Sequence, residues 1–412
     1  MKKIVSNIGW LLLEHGSRLI FALLSTSLLA RGLGVEQYGL FQYALNLILV
    51  FMSISFICGA EVIVPMLVNA SAKRRRLILG NAFYLRLFFS ILAYVFLVSF
   101  VYISDTREQF YLILILGLIL LVSEAFSVVT AWLQSQTNIK PKTILVISTS
   151  LIKCLIVALL FFFNVVDPIY YAFAWVFEAG FIAFGLICIY KNISKSNFFY
   201  FSKPMFFYLL KKGFPFFIAL LLMYSFLRLD VIMLRHFSDL VTLGLYTSAN
   251  QLLLSIVAVS PILAMSLAPA FVYEKSIINI KRNIIYITIF MVVVSLLIAV
   301  IMNYLSPIII PLLFGHKFNG AIPIFSYFLW VMTLYFINEG LNVYFIRMQL
   351  GRMLIFKWLL VLLGALIAYW YFIPLYGAYG AIIGYSIGYS VACIFSVCVM
   401  FLDSNKFISA AV

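Results

Sequence analysis

The sequence predicts an all-α integral membrane protein that crosses the bilayer about twelve times. Three observations carry this. Of 412 residues, 66% are hydrophobic and 10% are charged, against about half and about a quarter in a soluble domain. Mean hydropathy is +1.15, so lipid rather than water must be the main solvent. The apolar residues also come in long continuous runs, whereas strands of a membrane barrel alternate in polarity over ~10 residues. An open sheet edge cannot face lipid, which leaves helices.

A hydrocarbon core of ~30 Å takes roughly 20 apolar residues per helix. The runs that satisfy this are 8–30, 40–69, 80–103, 110–133, 143–163, 168–190, 213–236, 244–272, 284–304, 321–346, 354–373 and 380–402. The second, eighth and tenth exceed the minimum, which predicts tilt or extension beyond the bilayer. Met1-Lys2-Lys3 followed by apolar residues mimics a signal peptide. Glu14, His15 and Arg18 interrupt that apolar stretch, so it is read as an uncleaved first span.

A net charge of +15 in a soluble chain would point to nucleic acid. Here the cations lie between apolar runs, and no nucleic-acid partner is expected. Lys2, Lys3, Lys73, Arg74, Arg75, Arg76, Lys140, Lys142, Lys191, Lys195, Lys203, Lys211, Lys212, Lys275, Lys281, Arg282, Arg347, Arg352, Lys357 and Lys406 fall in one alternating set of connections. They are 20 of the 28 Lys and Arg. The opposite set holds Arg31, Arg107, Arg235 and Lys317. The positive-inside rule makes the first set, and both termini, cytoplasmic.

The longest hydrophilic connection, 191–212, falls midway and is basic. It predicts an N-terminal lobe 1–190 and a C-terminal lobe 213–412, each of six spans. Its aromatic residues (Phe198, Phe199, Tyr200, Phe206, Phe207) with interleaved Lys suit either an amphipathic segment on the inner leaflet or an ordinary linker. An internal repeat supports the halving. Gly39-Leu40-Phe41, Ala44, Asn46 and Leu47 recur as Gly244-Leu245-Tyr246, Ala249, Gln251 and Leu252, offset by 205 residues. Six spans per half makes the halves parallel repeats, and transporters commonly place substrate between such repeats.

Cys58, Cys154, Cys188, Cys393 and Cys398 lie in apolar runs without metal-ligand spacing and read as small buried hydrophobes. No metal site or cofactor is expected. Ionisable groups at bilayer depth cost about 2.5–3.5 kcal/mol each on insertion scales, so they face a bundle interior or a cavity. Glu14, His15, Arg18, Glu61, Arg86, Glu124, Lys153, Glu178, Arg228, Asp230 and Glu339 are such groups. Glu14 and Arg18 stand at i and i+4 and could pair. Arg86 is expected to snorkel to the inner interface. Arg18 and Arg228, with Asp230, Glu14, His15 and Lys153, are the candidate substrate-binding set, since two Arg can hold a diphosphate bidentately. Glu61, Glu124, Glu178 and Glu339 are candidates for coupling to H+ or Na+. Salt bridges that only join helices are the competing reading for about half the set. Pro65, Pro215, Pro261 and Pro269 are expected to kink their helices.

Several segments resemble the Wzx-type polysaccharide flippases. These are Leu29-Ala30-Arg31-Gly32-Leu33-Gly34-Val35-Glu36-Gln37-Tyr38-Gly39-Leu40-Phe41, Leu229-Asp230-Val231-Ile232-Met233-Leu234 with Gly244-Leu245-Tyr246, Leu312-Leu313-Phe314-Gly315-His316-Lys317-Phe318, and Tyr376-Gly377-Ala378-Tyr379-Gly380-Ala381-Ile382-Ile383-Gly384. The resemblance implies a member of the multidrug/oligosaccharidyl-lipid/polysaccharide exporter superfamily. It implies two six-helix lobes around a central cavity and alternating access. It also implies undecaprenyl-diphosphate-linked oligosaccharide as substrate, in the bacterial inner membrane, for O-antigen or a similar glycan of lipopolysaccharide biosynthesis. A polysaccharide polymerase and a chain-length regulator would then be partners. One departure stands out: the intramembrane set has more carboxylates than Arg and Lys. A membrane glycan polymerase or ligase is the alternative class, but its chemistry usually uses long outer loops and those here are short. A small-molecule exporter of the same superfamily is the third reading.

Overall fold

The computed structural model describes residues 2–68, 70–104, 107–271, 277–348 and 350–402. Lys275 and Lys406 lie outside the described residues, as do the side chains of Lys2, Lys3, Arg107 and Pro269. No strand occurs among the described residues.

The helix α1 (Lys2–Met52) carries Gly34 at φ 73° and ψ 177°. That is the left-handed half of φ space, open to glycine and not to a helix ladder. Gly34 therefore divides α1 into the first two predicted spans. The apolar segment Gly9–Ser55 has 47 residues, or ~70 Å of helix, more than twice the hydrocarbon thickness. Eleven segments among the described residues are long and apolar enough to cross a membrane. With α1 counted as two, the expected twelve are present.

The helices that follow are α2 (Ala60–Val68), α3 (Ala72–Ser104), α4 (Arg107–Phe126), α5 (Val128–Ser135), α6 (Lys140–Phe162), α7 (Pro168–Ser194) and α8 (Lys203–Phe237). Next come α9 (Leu240–Val257), α10 (Val259–Phe271), α11 (Ile277–Phe314), α12 (Ala321–Arg347), α13 (Gly351–Tyr376) and α14 (Ala378–Phe401). The over-long second and eighth runs resolve by breaking rather than by tilt alone. The second passes from α1 through a 3-10 turn at Ser53–Ser55 and non-helical residues around Cys58 (φ 56°) into α2. The eighth kinks at Ala258, with Pro261 in the first turn of α10, where a missing N–H is tolerated. The fourth run kinks as well, at Ser127 between α4 and α5.

Local chemistry explains the helix starts. Asp167 caps α7 by accepting from Ile169 N at 2.9 Å, with Pro168 in the first turn. Asp239 caps α9 by accepting from Thr242 N at 3.0 Å, and these bonds hold its carboxyl below the usual carboxylate range.

Two compact units emerge, residues 1–34 with 44–221, and residues 35–43 with 222–412. Within the first, α3 packs on α4, α4 on α7 and α6 on α7. Within the second, α11 packs on α12, α12 on α14 and α13 on α14. In span order these are three–four, four–six and five–six, then the same pairs six spans later. The packing thus repeats as the sequence does.

The repeated glycines have a steric reason. A Cβ on Gly39 would stand 2.8 Å from Gly244 N, and one on Gly244 would stand 2.1 Å from Val35 O. Both positions lie in the second unit, where two backbones meet directly. In the first unit the central connection is clamped rather than loose. Asn81 donates to Tyr200 O at 3.3 Å and accepts from Ser202 N at 2.9 Å. Phe198 is buried against Tyr190 and Phe83, with ring centroids 4.9 and 5.8 Å away. Only 195–202 is non-helical; the rest of 191–212 belongs to α7 and α8.

Candidate functional site

The first unit gathers most of its intramembrane charge into pairs. Glu14 is buried; its Oε1 lies 2.5 Å from Lys142 Nζ and its Oε2 accepts from Thr143 at 3.1 Å. The partner is therefore Lys142 on α6, not Arg18 one turn along the same helix. A buried carboxylate needs charge and hydrogen bonds together, and α6 supplies both. Lys153 Nζ lies 2.7 Å from Glu178 Oε2, Ser150 donates to Glu178 Oε1 at 2.7 Å, and Trp175 lies under the Lys153 ammonium at 5.0 Å.

Arg86 overturns the snorkelling expectation. It is 5% exposed. Its Nε donates to Ile57 O at 3.2 Å and its Nη2 to Cys58 O at 3.1 Å. Its Nη1 donates to Glu124 O at 3.2 Å and to Ser127 Oγ, and lies 3.4 Å from Glu124 Oε2. The break in span two frees the carbonyls of Ile57 and Cys58, and a rigid guanidinium fork satisfies them along with the kink in span four. Turning toward the interface would leave these groups bare in lipid.

Above this pin a cavity of about 240 Å³ opens within the first unit. Its polar lining is Arg18, Lys142, Glu124, Ser123, Ser127 and Thr130. Two cations and three hydroxyls around one carboxylate form a surface suited to an anion with several oxygen acceptors. His15 is exposed and belongs to none of these clusters. Glu61 is exposed in the first turn of α2, with its carboxylate curled beside Gly59, where the helix N-terminus favours negative charge.

In the second unit Asp230 is fully buried. Its Oδ2 accepts from Tyr246 Oη at 2.6 Å and from Asn250 Nδ2 at 3.3 Å, and its Oδ1 from Val231 N at 2.8 Å. Arg228 is in electrostatic reach of Asp230, Tyr224, Tyr385 and Tyr389. Tyr246→Phe is expected to destabilise by about 1.5–3 kcal/mol, the range for a hydrogen bond to a charged group. Thermal unfolding of purified protein tests this against Tyr327→Phe at an exposed ring; equal melting points for the two variants would refute it.

Glu339 Oε1 accepts from Asn338 at 3.2 Å and Asn342 at 3.1 Å, and Lys357 Nζ donates to Asn342 Oδ1 at 2.7 Å. Lys357 is fully buried in α13 beside Phe345 and Trp358. Its place among the cytoplasmic loop cations is thereby corrected; it is a core cation. The count behind the orientation falls to 19 against 4.

Eight of the ten candidate residues thus divide into separate clusters within each unit, and His15 and Glu61 stand outside them. Sequence reasoning missed Arg86, Lys142, Lys357, Tyr246 and Asn250 as their partners. Only Lys357 carried a usable signal, since it lies inside the apolar run 354–373.

Two comparisons with known proteins bear on the family and the fold. The profile of the polysaccharide biosynthesis protein family matches residues 4–274. The chain belongs to the polysaccharide biosynthesis protein family. Its fold is that of a solved lipid II flippase, MurJ, in the inward closed conformation, at a TM-score of 0.73 and 17% identity over 98% of this chain and 90% of that one. An inward-facing multidrug resistance MATE family transporter of the MOP superfamily aligns at 0.70 and 15% identity over 95% of each chain. A MOP superfamily transporter from Pyrococcus furiosus, described as having reverse polarity of its binding pocket, aligns at 0.60 and 15% identity over 99% of this chain and 96% of that one. No curated protein sequence matches. The family member is therefore a multi-pass α-helical membrane protein of the fold that the sequence resemblance implied.

Proposed function

We propose that this family member is a flippase. It moves undecaprenyl-diphosphate-linked oligosaccharide repeat units from the cytoplasmic to the periplasmic face of the bacterial inner membrane by alternating access. The observation that carries the reading is the polar cavity of the first unit, where Arg18 and Lys142 stand among hydroxyls in a largely apolar chain. A lipid-linked diphosphate has an apolar tail content in lipid and an anionic, sugar-bearing head that must be shielded from it. A cationic cavity between apolar helices meets the second need. In this reading Arg228 is a further cation offered to the anionic head, and Lys153 and Asp230 stabilise the supporting helices.

The family assignment and the flippase and transporter neighbours favour carriage over catalysis. Coupling to H+ or Na+ falls to Glu61, Glu124, Glu178 and Glu339. The glycan is an O-antigen or similar surface polysaccharide, with a polymerase and a chain-length regulator downstream. The retained cation asymmetry supports cytoplasmic termini.

Arg18→Ala and Arg228→Ala are each expected to lower surface glycan about tenfold with protein level unchanged. One charge-assisted hydrogen bond contributes ~1.5–3 kcal/mol, and ~1.4 kcal/mol is tenfold. The measurement is surface glycan in a deletion strain carrying each variant. Full complementation by both would remove the assignment, as would normal translocation of lipid-linked units in a deletion strain without a redundant carrier.

A further inference from the structure

Glu124 has two faces. On one side it holds Arg86, which also caps the carbonyls of Ile57 and Cys58 at the break of span two. On the other it is the acidic side chain lining the cavity that contains Arg18 and Lys142. Ser127, at the kink of span four, lines the same cavity and bonds both Glu124 and Arg86. Beyond the two interruptions, α2 and α5 pack on each other. Their contact is apolar, since Val62, Ile63, Leu67, Val128, Val129 and Trp132 belong to one buried cluster. Spans two and four thus end in α2 and α5, packed in a cluster shared with α3, α7 and α8, and one guanidinium holds both interruptions.

We propose that Glu124 passes occupancy of this cavity to the two interrupted spans through Arg86. The proposal deepens the flippase reading, since the occupant is the substrate's diphosphate. An anion held by Arg18 and Lys142 brings like charge beside the Glu124 carboxylate, and in a partly buried site that repulsion is strong. The repulsion pushes the Glu124 carboxylate away from the cavity and onto Arg86. Their contact, at 3.4 Å long for a charge-assisted pair, shortens. Arg86 already holds the carbonyls of Ile57, Cys58 and Glu124 and bonds Ser127 Oγ, so the tighter pair braces both interruptions. In this scheme Arg86 and Glu124 are positioning residues: the substrate touches Arg18 and Lys142, and its presence is felt at the breaks.

The test uses purified full-length protein in nanodiscs, inorganic pyrophosphate as the probe, and amide hydrogen exchange at residues 57–60 and 125–131. Pyrophosphate is expected to lower exchange at both segments in the wild type. Arg18→Ala is expected to lose pyrophosphate binding and the response together. Glu124→Gln is expected to bind pyrophosphate about threefold more tightly or better, one like charge having been removed. Its two segments are expected not to respond. A wild type that binds without a change at either segment overturns the proposal. So does a Glu124→Gln variant that responds like the wild type, or a wild type that does not bind pyrophosphate. Failure of the flippase reading looks different: surface glycan would be independent of Arg18 while pyrophosphate still protected both breaks.

Discussion

Arg86→Ala lowers the thermal midpoint of the purified protein by about 6–20 °C. The substitution strands a carboxylate and three backbone carbonyls, at Ile57, Cys58 and Glu124, in a nearly water-free interior. Removing one partner of a buried pair destabilises by ~3–5 kcal/mol, and each kcal/mol is ~2–4 °C in domains of this size class. Arg86→Lys recovers part of the loss, because one ammonium cannot reach three acceptors spread over two helix interruptions. Glu124→Gln is milder, since the amide oxygen still accepts from Arg86. Melting curves of the three variants check the order. A midpoint for Arg86→Ala within ~2 °C of wild type would show that the guanidinium is not what holds these joints.

Gly244→Ala is the second large effect. The added methyl would meet Val35 O at 2.1 Å, a backbone atom that no rotamer change can move. Overpacking of this kind destabilises by ~1–3 kcal/mol or more. Gly39→Ala acts on the same contact, where the new Cβ would stand 2.5 Å from Leu240 O. The double variant should therefore fall well short of the sum of the singles. Gly180→Ala, with nothing within 4 Å of the new atom, is the control. It should be neutral or stabilising by up to ~1 kcal/mol through helix propensity. Folded yield and melting point in detergent measure all four, and equal behaviour at positions 244 and 180 would refute the close approach.

The legible and illegible features divide along a physical line. The Gly39/Gly244 repeat and the long apolar runs could be read because each acts through local backbone geometry or through hydropathy summed over ~20 residues. The kink at Ser127 could not: neither proline nor glycine marks it, and its brace arrives from α3, 41 residues away along the chain. Glu14 and Arg18 looked like a pair because the helix repeat puts them on one face. Burial chose otherwise, since Lys142 and Thr143 reach Glu14 from α6 and leave Arg18 for the cavity.

The sequence by itself determined that this chain lives in lipid and how many times it crosses. These follow from transfer free energy and helix geometry, which are additive along the chain. Only the tertiary structure decided which intramembrane charges neutralise one another, that Arg86 and Lys357 belong to the interior, and that a cationic cavity opens beside Glu124. Partner choice inside a membrane depends on which helices approach within about 3 Å, and no periodicity in a single segment encodes that distance.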